Sequence, residues 1–189
     1  MDLKKLQEPL PIESIDFRIQ SINKGGYATI LAYKDARVDM NILDNVVGPE
    51  NWQRDHKEIH GVVYCGIGIN TEDFTSSNNE RYQKWVWKWD AGSESLTEKQ
   101  KGEASDSFKR AGFNWGIGRE LYDYPIISIK LEKGVEWDLV NDRPKQLYGL
   151  NLRNWKWFSQ FTDNKLTYLA CKDEKGSLRF SYGKYEKNG

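Results

Sequence analysis

Lys109 and Arg110 are the side chains best placed by type and spacing to do chemistry here, and that chemistry is the holding of a polyanion. They sit in the stretch KGEASDSFKRAGFNWGIGRELYD, residues 101–123, where Ala104, Phe108, Ala111 and Trp115 recur at helical spacing and line one narrow stripe. At about 100° per residue, both cations fall roughly 130° from the centre of that stripe, one on each side, on the half of the helix turned away from the core. Lys101 and Arg119 flank them. Between residues 99 and 119 there are five cations (Lys99, Lys101, Lys109, Arg110, Arg119) and two anions (Glu103, Asp106), a local balance of +3. The plain alternative is a solvated helix face with no ligand. Gly112, Gly116 and Gly118 predict a loosened turn or a close approach to another backbone at the end of the helix. Phe113 points off the stripe and predicts a second packing surface, such as another subunit.

Other chemistries find little support. There is no GxxxxGK[ST] loop, and the isolated Gly66-Ile-Gly68 and Gly116-Ile-Gly118 triplets are too short to mark a dinucleotide site. No ATP or other cofactor is expected. His56 and His60 would share one face of a strand, without the partner cluster or CxxC that a zinc site needs, so no metal site is assigned. Asp39, Asp44, Glu58 and Asp90 supply the carboxylates of a metal-dependent nuclease, but nothing in their spacing recommends that reading. Cys65 and Cys171 lie in apolar, strand-like contexts, which predicts reduced, buried thiols.

The elements that must position the basic helix can be read outward from it. Residues 15–22 and 27–33 predict a hairpin closed by Asn23-Lys24-Gly25-Gly26. Val38, Ile42, Leu43, Val46 and Val47 predict a short amphipathic helix ending at Gly48-Pro49. Residues 52–59 and 61–69 predict paired strands turning at His60-Gly61, and 82–89 a third strand after a polar loop over 70–80. The long helix follows, so the unit is α+β. Trp85, Trp87 and Trp89 alternate and share one sheet face, expected to pack as core against a helix; the alternative is a base-stacking platform. Further strands are expected at 126–132, 147–152, 166–171 and 178–182. Together these predict a core over residues 1–142 and a small β-rich appendage over 143–189.

With 189 residues and eight Trp the chain can bury a full core. Its mean hydropathy of −0.78, and the lack of a long apolar run or an apolar start, predict a cytosolic protein with no membrane span and no secretory leader. The net charge of zero hides an asymmetry. Residues 143–189 carry ten Lys/Arg against four Asp/Glu (+6), and residues 1–142 carry 18 against 24 (−6). The basic end suits nucleic acid, or the acidic part of its own or a neighbouring subunit.

Two segments together carry a resemblance: Ala36-Arg37 through Leu43-Asp-Asn-Val-Val-Gly-Pro-Glu-Asn-Trp52, and residues 101–122 with Ser105-Asp106, Lys109-Arg110-Ala111 and Trp115-Gly-Ile-Gly-Arg119. They resemble the Rad-fifty-two-like single-strand annealing proteins, most closely the phage and prophage branch called Sak, with the DdrA group as a near relative. The likeness spans about residues 30–125. It implies a β-β-β-α annealing core and an ATP-independent protein, not an enzyme, that pairs complementary single-stranded DNA during recombination and repair. It further implies a homo-oligomeric ring or filament acting in the cytoplasm of a bacterial host, with a single-strand-binding protein as a candidate partner. Carried onto this sequence, Lys109 and Arg110 match the groove-lining basic pair, and Arg37 the groove arginine of the shorter helix. Trp52 matches the tryptophan after the Gly-x-x-x-Trp turn, and Trp52 and Trp115 are candidates for structural or stacking roles. A further arginine of the eukaryotic members has no counterpart here, and the aromatic after their turn glycine is Pro49. A DNA-end protector or protein-interaction adaptor on the same fold is the alternative, and a metal-dependent nuclease a third reading.

Overall fold

The computed structural model describes residues 2–75, 81–92 and 99–186. Contacts divide the chain into two units, Met1–Pro9 with Lys34–Arg119 and Leu10–Tyr33 with Glu120–Gly189.

The first unit holds helix α1 (Ala36–Val47), strands β3 (Trp52–Ile59), β4 (Val62–Thr75) and β5 (Arg81–Ala91), and helix α2 (Lys99–Trp115). Asp35 starts α1 by accepting the Arg37 amide at 2.8 Å, satisfying one of the free N–H groups of the first turn. Gly48, at φ 88°, ends it in a conformation a side chain would resist. The strands form an antiparallel meander in the order β3-β4-β5. His60 and Gly61 both have positive φ, as a tight two-residue hairpin turn requires, and this fixes Ile59 opposite Val62. His60 therefore sits in the turn and not on the strand face with His56.

Register decides what α2 covers. Cys65, Ile67 and Ile69 share a sheet face with Trp52, Arg54, Val86 and Lys88. That face is sealed by the expected stripe: Phe108, Ala111 and Trp115 are buried, and the Trp115 indole donates to the Ile67 carbonyl at 3.0 Å. Trp85, Trp87 and Trp89 stand on the opposite face, across from Asn70, Gly68 and Gly66. The expectation that a helix packs on the tryptophans is thus corrected, because α2 takes the aliphatic face. The half-buried rings lie flat on the glycines instead: a Cβ at Gly66 or Gly68 would come within 2.5 and 2.6 Å of Trp89 and Trp87. Trp87 and Trp89 stack at 5.6 Å. The loop expected from residue 70 is in part strand, since β4 continues past a bulge to pair Thr75 with Arg81.

In the second unit, β1 (Asp16–Ile22), β2 (Tyr27–Tyr33) and β6 (Ile127–Lys130) form one antiparallel sheet. A hairpin of β7 (Trp137–Val140) and β8 (Arg143–Gln146) follows, then a sheet of β9 (Lys156–Thr162), β10 (Lys165–Lys172) and β11 (Leu178–Gly183) in the order β11-β10-β9. Ala28, Ile30, Ile127, Ile129, Trp137, Trp155, Leu169 and Cys171 make its core, with Phe17 stacked on Trp157 at 3.6 Å. Residues 147–152 are not the expected strand. Leu150 and Leu152 are buried from a loop and a 3-10 turn (Leu152–Asn154). Strands β7, β8 and β9 were not anticipated; β9 carries apolar side chains on both faces, which hides its alternation. The position between residues 142 and 143 lies at the tip of the β7–β8 hairpin, inside this unit.

Both thiols are free and buried. Burial raises Cys65 to about 11 and Cys171 to about 12, so neither is a ready nucleophile.

Candidate nucleic-acid interface

The site grows from the packing of α1 on α2. Lys34, just before α1, is buried and pairs with the buried Asp39 of α1; its ammonium also donates to the Ile117 carbonyl at 2.8 Å and sits 4.4 Å from the centre of the Phe113 ring. Phe113 therefore packs inside its own unit and needs no second subunit to account for it. Gly112 makes room for this knot, because a Cβ there would collide with the Asp39 carboxylate. Gly116, at φ 109°, turns the chain out of α2 against Gln7. Burial raises Asp39 to about 6 in spite of Lys34, and its Oδ2 has no hydrogen-bond partner.

Above this anchor the cations gather. Arg37, in the first turn of α1, is 82% exposed and its Nε donates to Asp35 at 2.8 Å. The hydrogen bond from Arg37, the backbone amide and the charge of Lys109 hold the Asp35 carboxyl below its ordinary range. The charge of Lys109 also acts on Asp39, and Lys109 precedes by one turn the Gly112 that packs on Asp39. Arg37 and Lys109 thus act on the same carboxylate from two packed helices. Arg110 points elsewhere, toward Asp90 of β5 at 3.5 Å, with 42% of its side chain exposed. Asn114 also donates to Asp90, at 3.3 Å. The basic pair is half-buried and its members diverge, one toward α1 and one toward the sheet.

Arg119 lies past the end of α2 and donates to the Phe113 carbonyl at 2.8 and 3.1 Å, capping the helix where its dipole favours a cation. Lys88 was not singled out from the sequence. Its ammonium donates to the Asn114 carbonyl at 2.7 Å and lies over the Trp115 ring, and burial, then the nearby Arg119, lower its pKa. A lysine on the sheet face that meets α2 was the signal available for it. Lys101 falls in the first turns of α2, and its side chain is outside the described residues.

Trp52 and Trp115 are both engaged in the fold. The Trp52 indole donates to Asp44 at 2.7 Å and its ring tilts against Phe108, while Trp115 is buried under Lys88. The carboxylates considered for a nuclease do not assemble: Asp39 pairs with Lys34, Asp44 with Trp52, and Asp90 with Arg110. Among the described residues no three His, Cys, Asp or Glu side chains come together as a metal site would need. No helix among them is long and apolar enough to cross a membrane.

A three-stranded meander backed by a long basic helix, preceded by a short helix that brings its own arginine, defines the class as an α+β core of the β-β-β-α type. The sequence pattern of the Rad52/22 family double-strand break repair protein matches residues 3–133, and the chain belongs to that family. It is also similar to the single-stranded DNA-binding protein DdrA of Deinococcus radiodurans, 27% identical over 152 residues, which is 76% of this chain and 62% of that protein. The chain thus spans about three fifths of the length of that relative.

Proposed function

We propose that this protein binds single-stranded DNA and anneals complementary strands without ATP, in homologous recombination and repair. The observation that carries the reading is the packing of α1 on α2, which brings exposed Arg37 of one helix and Lys109 of the other to act on the same Asp35 carboxylate, with Arg110 half-exposed one residue further along α2. Exposed pairs such as Arg37–Asp35 are weak, so a phosphate can compete for the guanidinium at little cost. Contacts of Lys and Arg to phosphate read no sequence and neutralise two strands that would otherwise repel each other. Duplex formation is itself downhill by roughly 1.4 kcal/mol per base-pair step, so the reaction needs no fuel and the protein acts as a binder and not as a catalyst. A few cations per subunit give a weak grip. Repetition of the groove in a homo-oligomeric ring or filament would supply the avidity. We place the activity in the cytoplasm of a bacterial cell, on a phage or prophage recombination route, with a single-strand-binding protein as a candidate partner. The matches to the family and to a single-stranded DNA-binding protein support this reading.

The test is annealing of two labelled complementary oligonucleotides without ATP, with and without Mg²⁺, for wild type and Lys109→Ala/Arg110→Ala. Faster pairing that the variant loses supports the reading. Binding without faster pairing moves it to an end protector, and strands shortened by Mg²⁺ to a nuclease.

A further inference from the structure

The outward face of the β9–β10–β11 sheet lies beyond residues 3–133, the part matched by the family pattern. On β9 and β10, Lys156 stands directly opposite Lys172, and Phe158 directly opposite Ala170. Tyr168, opposite Gln160, continues the same face. The alternate residues Trp157, Leu169, Cys171 and Phe180 turn into the core. The outward row is therefore set by register.

Both lysines are exposed and neither has an ion-pair partner among the described residues. Phe158 is 45% exposed, and Tyr185, 64% exposed, meets the Tyr168 ring edge-on at 5.5 Å. Cross-strand neighbours bring their Cβ atoms within about 5 Å, so two like charges there repel and weaken the sheet unless an anion lies between them. Glu174 is drawn off to Asn154 at 2.9 Å, and Asp173 to Arg179. Residues 143–189 carry ten cations and four anions, so the face belongs to the basic end of a neutral chain.

We propose that this face is a second contact for single-stranded DNA, with Lys156 and Lys172 holding phosphates and the exposed Phe158 stacking on an unpaired base. The proposal rests on the reading of the protein as a single-strand binder. Tyr185 and Glu186 cover the Tyr168–Gln160 end of the face, and the exposed Phe158 ring beside the paired cations at the other end suits a strand whose bases are free to stack, whereas duplex DNA would offer it only a backbone.

The test is binding of a fluorescent oligothymidine across a range of salt, for wild type, Lys156→Gln/Lys172→Gln, Phe158→Ala and Lys109→Ala/Arg110→Ala, with sedimentation of each protein. Loss of two phosphate contacts should lower the salt slope by about 1.4. Phe158→Ala should weaken binding roughly five-fold or more. The lysine variant, relieved of repulsion, should melt at or above the wild-type temperature, so lost binding is not lost folding. An unchanged slope together with normal binding by Phe158→Ala overturns the face. So does normal binding by a lysine variant that sediments as a smaller assembly, which would make the face a dock for a second copy. If only the Lys109/Arg110 variant fails, the groove stands and this contact falls; if wild type binds no strand, both fall.

Discussion

Replacing Lys34 by Met should be among the most damaging single changes in the first unit. Lys34 and Asp39 are 1% and 0% exposed. Without the ammonium, the Asp39 carboxylate remains buried with no compensating charge, a loss typically worth about 3–5 kcal/mol. Asp39→Leu alone should cost a similar amount, because the buried Lys34 ammonium would lose its paired carboxylate. The double variant Lys34→Met/Asp39→Leu should recover most of the loss, since apolar groups of similar volume often replace a buried pair within about 1 kcal/mol. Acidity supplies an independent check. In the wild type, burial raises Asp39 from its ordinary 3.8 to about 6. A raised folded pKa contributes stability that is fully present below 3.8 and lost as pH rises through the folded value. Removing Lys34 raises the folded value further, so the deficit of Lys34→Met should shrink on acidification as the carboxyl takes up a proton. Urea unfolding of the four proteins at pH 5 and pH 7.5, followed by tryptophan fluorescence, measures both effects. Single losses that simply add in the double variant, or a deficit indifferent to pH, would refute the argument. The consequence reaches the candidate site, because this knot packs α1, which carries Arg37, on α2, which carries Lys109.

Gly68→Ala places a methyl within 2.6 Å of the Trp87 ring and should cost about 1–3 kcal/mol, with a changed near-ultraviolet dichroism as the stacked Trp87–Trp89 pair shifts. In the second unit, Arg179 donates to both oxygens of Glu136 at 2.8 Å, and Arg179→Met should lower stability by about 3 kcal/mol at neutral pH in a denaturant titration. Burial pushes Glu136 up, but the bonds from Arg179 and the Glu132 amide outweigh it and leave the carboxyl below its ordinary 4.5. That stabilisation is present above 4.5 and lost as pH falls through the folded value, so the gap between variant and wild type should narrow in acid.

Much of the architecture around the basic helix was legible because its signals are local. The stripe of Phe108, Ala111 and Trp115 has helical spacing, Asp35 and Gly48 bracket α1, and His60-Gly61 closes a hairpin, each within a few residues of chain. The rough position of Lys109 and Arg110 followed from the same periodicity, whereas Arg37 was singled out through the family resemblance. Alternation placed Trp85, Trp87 and Trp89 on one face, but which face α2 would choose depended on β4, whose glycines fill one side and whose Cys65, Ile67 and Ile69 fill the other. The direction each cation takes is likewise tertiary. Lys109 acts on carboxylates of the α1 segment and Arg110 pairs with Asp90 of β5, and Asp35, Asp39 and Asp90 all come from distant segments. The Lys34–Asp39 pair is close in sequence, yet its burial is made by Gly112, Phe113 and Ile117, more than seventy residues away. Sequence by itself determined the elements around the basic helix and the charges available to them, since helix and strand periodicity are properties of neighbouring residues. Only the tertiary structure decided which faces are covered and which carboxylate meets which cation, because burial and Coulomb energy depend on distance in space and not on distance along the chain.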